Sequence, residues 1–211
     1  MPLILALALA MQMPDLTDGP EPRGKAETWI NSNDYPPTAL AKSGVSELEI
    51  FVDPDGRAAG CRIKRASGVA DFERQACRAL ETRGRWKPAF DPGGKPIMSV
   101  YRRKVQWVSG QAAGPVRPAP QYPDMEIEVA RLPVPPVQAF VVVRQIQRAD
   151  GTLEHCEVTS PSPSTALNAA ACKLAAPLAG TEPIFDKAGS PVRGARWRII
   201  RFMEKRATPA G

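Results

Sequence analysis

Apolar side chains recur along this chain first at every second position and then at helical spacing, and the whole sequence of patterns occurs twice. Leu48, Ile50 and Val52 fall on alternate positions, the period of a strand. Asp53-Pro54-Asp55-Gly56 is turn chemistry, with proline presetting φ and glycine accepting a positive φ. A second strand returns over 57–64, with Ala59, Cys61 and Ile63 on one face. Ala66-Ser67-Gly68 breaks it, and Val69, Phe72, Ala76 and Leu80 then mark a helix through Arg83, with Cys77 close to the same stripe. Asp91-Pro92-Gly93-Gly94 turns the chain again, and 97–108 predicts a third strand with Ile97, Tyr101, Val105 and Trp107 on one face. Ahead of these, 35–41 predicts a short helix opened by proline.

The second occurrence lies 95 positions later. Cys61 and Cys77 fall on Cys156 and Cys172, Asp55-Gly56 on Asp150-Gly151, and Ser67 on Ser162. Pro88 falls on Pro183, Phe90-Asp91 on Phe185-Asp186, Gly94 on Gly189 and Pro96 on Pro191, without an insertion or deletion. A match sustained over that length is an internal repeat. The second copy predicts strands over 141–147 and 153–158, a helix over 165–176 capped by Ser164 and ended by Pro177, and a last strand over 192–203. Its first strand alternates less well, because it carries Arg144, Gln145 and Gln147.

The expected fold class is α+β: two tandem units, each (α)ββαβ, with a three-stranded antiparallel sheet and one packed helix. The expected division is a lead-in over 11–27, a first unit over 28–108, a Pro/Gly/Ala linker over 109–120, a second unit over 121–204 and a tail over 205–211. Residues 1–10 form an apolar run ending Ala-Leu-Ala, which resembles the end of a secretory signal peptide cleaved before Met11. That run is about half the roughly 20 residues a spanning helix needs.

Four cysteines allow three pairings, and only Cys61–Cys77 with Cys156–Cys172 gives each copy its own bridge. Such bridges fit an oxidising compartment. The competing reading is four buried free thiols; a zinc site fits less well, because the spacing and the lone His155 match no usual ligand pattern.

Charge sharpens this picture. The 211 residues hold 28 Lys plus Arg against 22 Asp plus Glu, a net +6. The first copy, over 28–108, carries 14 basic and 9 acidic side chains, whereas 119–204 balances at 9 of each. The excess reads as a solvated face or as a surface for an acidic partner. A single histidine, no phosphate loop and no paired-carboxylate motif argue against an enzyme, and Asp53 and Asp55 belong to a turn. No cofactor, metal, small-molecule substrate or nucleic acid is expected.

The ordered motifs resemble one family, the C-terminal domain of TonB energy transducers. They are Tyr35-Pro36, the strand 48–52, Asp53-Pro54-Asp55-Gly56, the strand 59–64, Ser67-Gly68, the helix 71–80, Trp86-Lys87-Pro88-Ala89, Gly94-Lys95-Pro96 and the strand 97–107. The likeness covers about 29–108, and the second copy resembles a diverged example, with Ser162-Pro163 in place of Ser-Gly. The resemblance implies a periplasmic module that captures an outer-membrane receptor segment by adding it beside the last strand. In this chain that edge would be Val100, Tyr101, Arg102, Arg103, Lys104 and Val105, with the basic side chains attracting an acidic segment. The other function class is an envelope structural or interaction domain, binding peptidoglycan or another envelope protein without energy transduction. The two copies are expected to fold as separate units, or to pair as an intramolecular pseudo-dimer or a homo-oligomer through their sheet edges.

Overall fold

In the computed structural model, which describes residues 20–109 and 122–205, the two halves follow similar element orders and feed one sheet. The first half runs β1 (Gly44–Val52), β2 (Ala58–Arg65), α1 (Ala70–Arg83), β3 (Ala89–Phe90) and β4 (Pro96–Trp107). The second half opens with an added strand, β5 (Met125–Val129), then runs β6 (Phe140–Gln147), β7 (Leu153–Ser160), α2 (Thr165–Ala175), β8 (Ile184–Phe185), β9 (Pro191–Val192) and β10 (Gly194–Glu204). In place of the helix expected over 35–41 stands one short 3-10 turn, Pro37–Ala39, with another just ahead of it at Ser32–Asp34. Pro36 is extended (ψ 128°) and forces a break between them. Residues 1–19, 110–121 and 206–211, where the leader, most of the linker and most of the tail were expected, lie outside the described residues.

Local chemistry is shared between the halves. The α1 start is locked by Ser67, whose Oγ accepts from the Val69 amide at 3.1 Å and whose own amide donates to Glu73 at 2.6 Å. Ser162 repeats this with the Ser164 amide and with Asn168, which stands where the first half has Glu73. Gly56 has φ +77°, and a Cβ there would meet the Trp86 carbonyl oxygen at 2.0 Å, so only glycine lets the first turn close onto the segment after α1. Both cysteine pairs are bridged, Cys61–Cys77 and Cys156–Cys172, each tying a helix to the returning strand.

The two halves do not form two separate three-stranded sheets. They share one sheet in the order β2-β1-β4-β10-β6-β7, with β3 attached to β4 and β5 to β10. Pairing within each half is antiparallel except where β5 adds in parallel to β10, and the halves meet in parallel, β4 with β10, through Met98 and Ser99 with Gly194 and Ala195. Two cores lie under the helices: Leu48, Ile50, Phe72, Leu80 and Trp86 under α1, and Val141, Val143, Leu167, Ile200 and Phe202 under α2. Two more cores cross between the halves. Ala89 and Ile97 of the first pack with Val142, Ile146 and Trp197 of the second; Ile184 of the second packs with Phe51, Met98 and Val100 of the first. This reciprocal exchange explains why β1 and β10 are buried on both faces. The lead-in also reaches the fold at its C-terminal end, where Pro22 bridges Trp86 and Ala26 packs on the first core.

Candidate functional site

Most of the family-motif residues hold the first half together. The Tyr35 ring packs edge-on against Phe72 and Trp107, and its hydroxyl reaches the Ala39 and Lys42 carbonyls. Pro36 precedes the second 3-10 turn. Gly68 (φ +90°) and Gly94 (φ +78°) occupy turns that favour glycine. The Gly94 amide donates to the Asp91 carbonyl, and Pro96 begins β4 beside Phe90, two residues after Pro88.

β1 pairs with β4 along residues 99–107, and β10 meets β4 on its other side only at Met98 and Ser99, so residues 100–105 pair with no strand on that side among the described residues. Val100 is buried against Ile184. The Tyr101 ring meets Trp29 edge-on and Trp86 at a tilt in the first core, where burial raises its hydroxyl pKa against the pull of Arg103. Val105 belongs to the same core. Lys104 lies 5.8 Å from the Tyr122 ring.

Arg102 opens the most unusual chemistry in the molecule, a cluster of ions enclosed where the halves meet. Its guanidinium donates to both oxygens of Asp124, at 2.7 and 3.1 Å. Asp124 also accepts from Lys64 Nζ at 2.6 Å and from the Ile199 amide at 2.8 Å. Beside it, Glu49 accepts from Arg196 at 2.5 Å and from Arg62. Glu182 completes the set by pairing with Arg198 and approaching Arg196. The Glu49 side chain is 0% exposed, and those of Asp124 and Arg198 are 2%.

Burial pushes the Glu49 carboxyl up, but Arg196, Lys64 and Arg62 outweigh it and hold the group at about 2. Burial likewise opposes ionisation of Asp124, and Arg102 and Lys64 hold it well below the usual carboxylate range. Burial pulls Arg102 down, yet Asp124, Glu49 and Glu47 leave it raised overall. Carboxylates held ionised and saturated by guanidinium groups are poor proton shuttles. The cluster is suited to joining segments and recognising charge.

Arg102 was expected on a partner-binding edge, and the structure places its side chain in this internal cluster. Glu49, Asp124, Arg196 and Arg198 were not expected as site residues, because alternation makes a polar position on a strand look solvated. The available signal was that Ala195, Trp197 and Ile199 alternate with Ile200 and Phe202 just beyond, leaving β10 apolar on both faces.

The outer edges of the sheet are β2 and β7, and each is bulged twice. In β2 the extra residues are Ala59 and Lys64; in β7 they are Glu154 and Thr159, again 95 positions on. Bulges twist an edge away from further pairing. Along the path β2-β1-β4-β10-β6-β7, the β4–β10 seam has the shortest pairing among the described residues.

Residues 31–108 match the family model described as the Gram-negative bacterial TonB protein C-terminal. These residues are a TonB C-terminal domain. No curated protein and no solved structure matches the chain. The TonB C-terminal domain here contains β1, β2, α1, β3 and β4, the Cys61–Cys77 bridge and the first core. It supplies Glu49, Arg62, Lys64 and Arg102 to the ion cluster; Asp124, Glu182, Arg196 and Arg198 come from beyond the matched residues. No helix among the described residues is long and apolar enough to cross a membrane.

Proposed function

We propose that this chain is a periplasmic TonB-like protein-binding module that engages outer-membrane receptors by strand addition, in TonB-dependent transport. The observation that carries the reading is the match of residues 31–108 to the TonB C-terminal domain, a protein-interaction domain. The place for the added strand is the β4 side of the seam, since the bulges at β2 and β7 disfavour the outer edges. Backbone pairing would provide affinity with little demand on sequence. The second half is read as a diverged second TonB-like unit, supported by its equivalent bulges, bridge, turn glycines and serine lock. The two units then form an intramolecular pseudo-dimer.

The second reading is an envelope structural or interaction domain without energy transduction. It is favoured by β4 meeting β10 and by Arg102 having its charge met inside the chain.

The test is titration of the full chain with peptides from the periplasmic ends of outer-membrane receptors, followed by fluorescence anisotropy. Saturable binding that weakens with salt supports receptor engagement. No binding at millimolar peptide favours the structural reading.

A further inference from the structure

The segment that follows the linker is held as though it were a ligand. Residues 122–129 read Tyr-Pro-Asp-Met-Glu-Ile-Glu-Val, an extended run alternating polar and apolar side chains. Met125–Val129 adds in parallel to β10, pairing with residues 200–204. Immediately before it, the Asp124 amide donates to the Ile199 carbonyl at 2.8 Å, and the Asp124 carboxylate accepts from the Ile199 amide.

The alternate side chains Tyr122, Asp124 and Glu126 each meet a cation. The Arg65 guanidinium stands 3.7 Å over the Tyr122 ring, Lys64 and Arg102 grip Asp124, and Arg201 holds Glu126 at 3.1 Å. Met125, Ile127 and Val129 pack against the second core. The corresponding stretch of the first half, 95 positions earlier, does not form a strand; it contains the 3-10 turn Ser32–Asp34. Segment 122–129 is therefore an addition to the repeated plan.

We infer that the groove between β4 and β10 is a binding site for an extended acidic segment, read through a carboxylate pocket of Lys64, Arg102, Arg198 and the Ile199 amide, and that the chain's own residues 122–129 occupy it as an internal ligand. The inference rests on strand addition at the seam, as proposed above, and adds the chemistry of the partner. An incoming segment must place a carboxylate where Asp124 sits, since a neutral side chain would remove the nearest counter-ion of enclosed Lys64 and Arg102 and leave them only the longer contacts to Glu47, Glu49 and Glu182. It must also carry aliphatic side chains at the flanking alternate positions, to replace Met125, Ile127 and Val129. Binding is an exchange, so the affinity observed for a partner is reduced by the occupancy of the internal segment.

The experiment uses the full chain and a fluorescent peptide copying residues 121–130. Asp124→Asn weakens the internal competitor, and the peptide is expected to bind this variant about tenfold more tightly than the wild-type chain. The same peptide with its aspartate changed to asparagine is expected to lose about tenfold or more in affinity for both chains. Hydrogen exchange on the wild-type chain provides a readout independent of how the variant folds: saturating peptide should lower protection of the Met125–Val129 amides. Equal affinity for the aspartate and asparagine peptides, unchanged protection at saturation, or no binding to either chain overturns the inference. Binding of a receptor-derived segment without acidic residues at β4, with residues 122–129 still in place, overturns it while leaving receptor engagement intact.

Discussion

Glu49 and Arg196 stand 147 residues apart in sequence, yet their side chains share a hydrogen bond of 2.5 Å with exposures of 0% and 1%. One belongs to the TonB C-terminal domain and the other to the second half, so the contact joins the two halves through buried charge. Removing one partner of such a pair leaves the other desolvated and uncompensated. Glu49→Ala should cost about 3–5 kcal/mol in equilibrium denaturation. Glu21→Ala, whose partner Lys87 lies 2.8 Å away with both side chains 60% exposed, is expected to cost about 1 kcal/mol or less. Equal costs would deny the buried pair its special role.

Acid should expose the same cluster. The Glu49 carboxyl is held at about 2 in the fold against an ordinary value of 4.5. A depressed folded pKa contributes stability that is present above the unfolded value and is lost as pH falls towards the folded one. Glu49 alone corresponds to something on the order of 3 kcal/mol, lost between about pH 4.5 and pH 2, with Asp124 and Glu182 shifted in the same direction. Urea midpoints measured from pH 7 down to pH 2 should hold steady to about pH 5 and then fall steeply. A flat profile through pH 3 would show that the cluster does not stabilise the fold.

The parts of this fold that are local in sequence were legible, and the parts made between distant segments were not. Helix α1 follows from Phe72, Ala76 and Leu80 at helical spacing, and both disulfides follow from the repeat offset. The seam is different. Nothing in Met98-Ser99 or Gly194-Ala195 announces that they pair, because backbone hydrogen bonding carries no side-chain signature. Phe51 was the one local hint: an apolar side chain out of phase with Leu48, Ile50 and Val52 needs its own cover, and Phe185 and Ile184 of the second half provide it. Glu49, two positions from Phe51, is fully buried and is met by Arg196 of the second half.

Ile184 tests the crossing of the cores. It is fully buried, and its cluster is drawn largely from β1 and β4 of the first half. Ile184→Ala should lower stability by about 2–5 kcal/mol. The loss should appear as a shift of one unfolding transition reported equally by tryptophans of both halves. Two separated transitions, with only the second one moved, would mean that the units fold independently.

Each bridge closes a loop between cysteines 16 positions apart. Loss of a bridge of that size costs about 3 kcal/mol in the chain-entropy model. Paired Cys61→Ala and Cys77→Ala substitutions should shift the denaturation midpoint accordingly, and non-reducing peptide mapping of protein from its native compartment should recover both pairs. Four alkylatable thiols would contradict the bridges and the periplasmic location together.

The most direct test of receptor engagement is backbone NMR of the full chain during titration with a receptor's periplasmic segment. Strand addition at the seam predicts saturable shifts and gained amide protection concentrated in β4, with Arg102→Glu weakening the binding. Shifts confined to the bulged edge strands β2 and β7, or a spectrum unchanged at millimolar peptide, would contradict it.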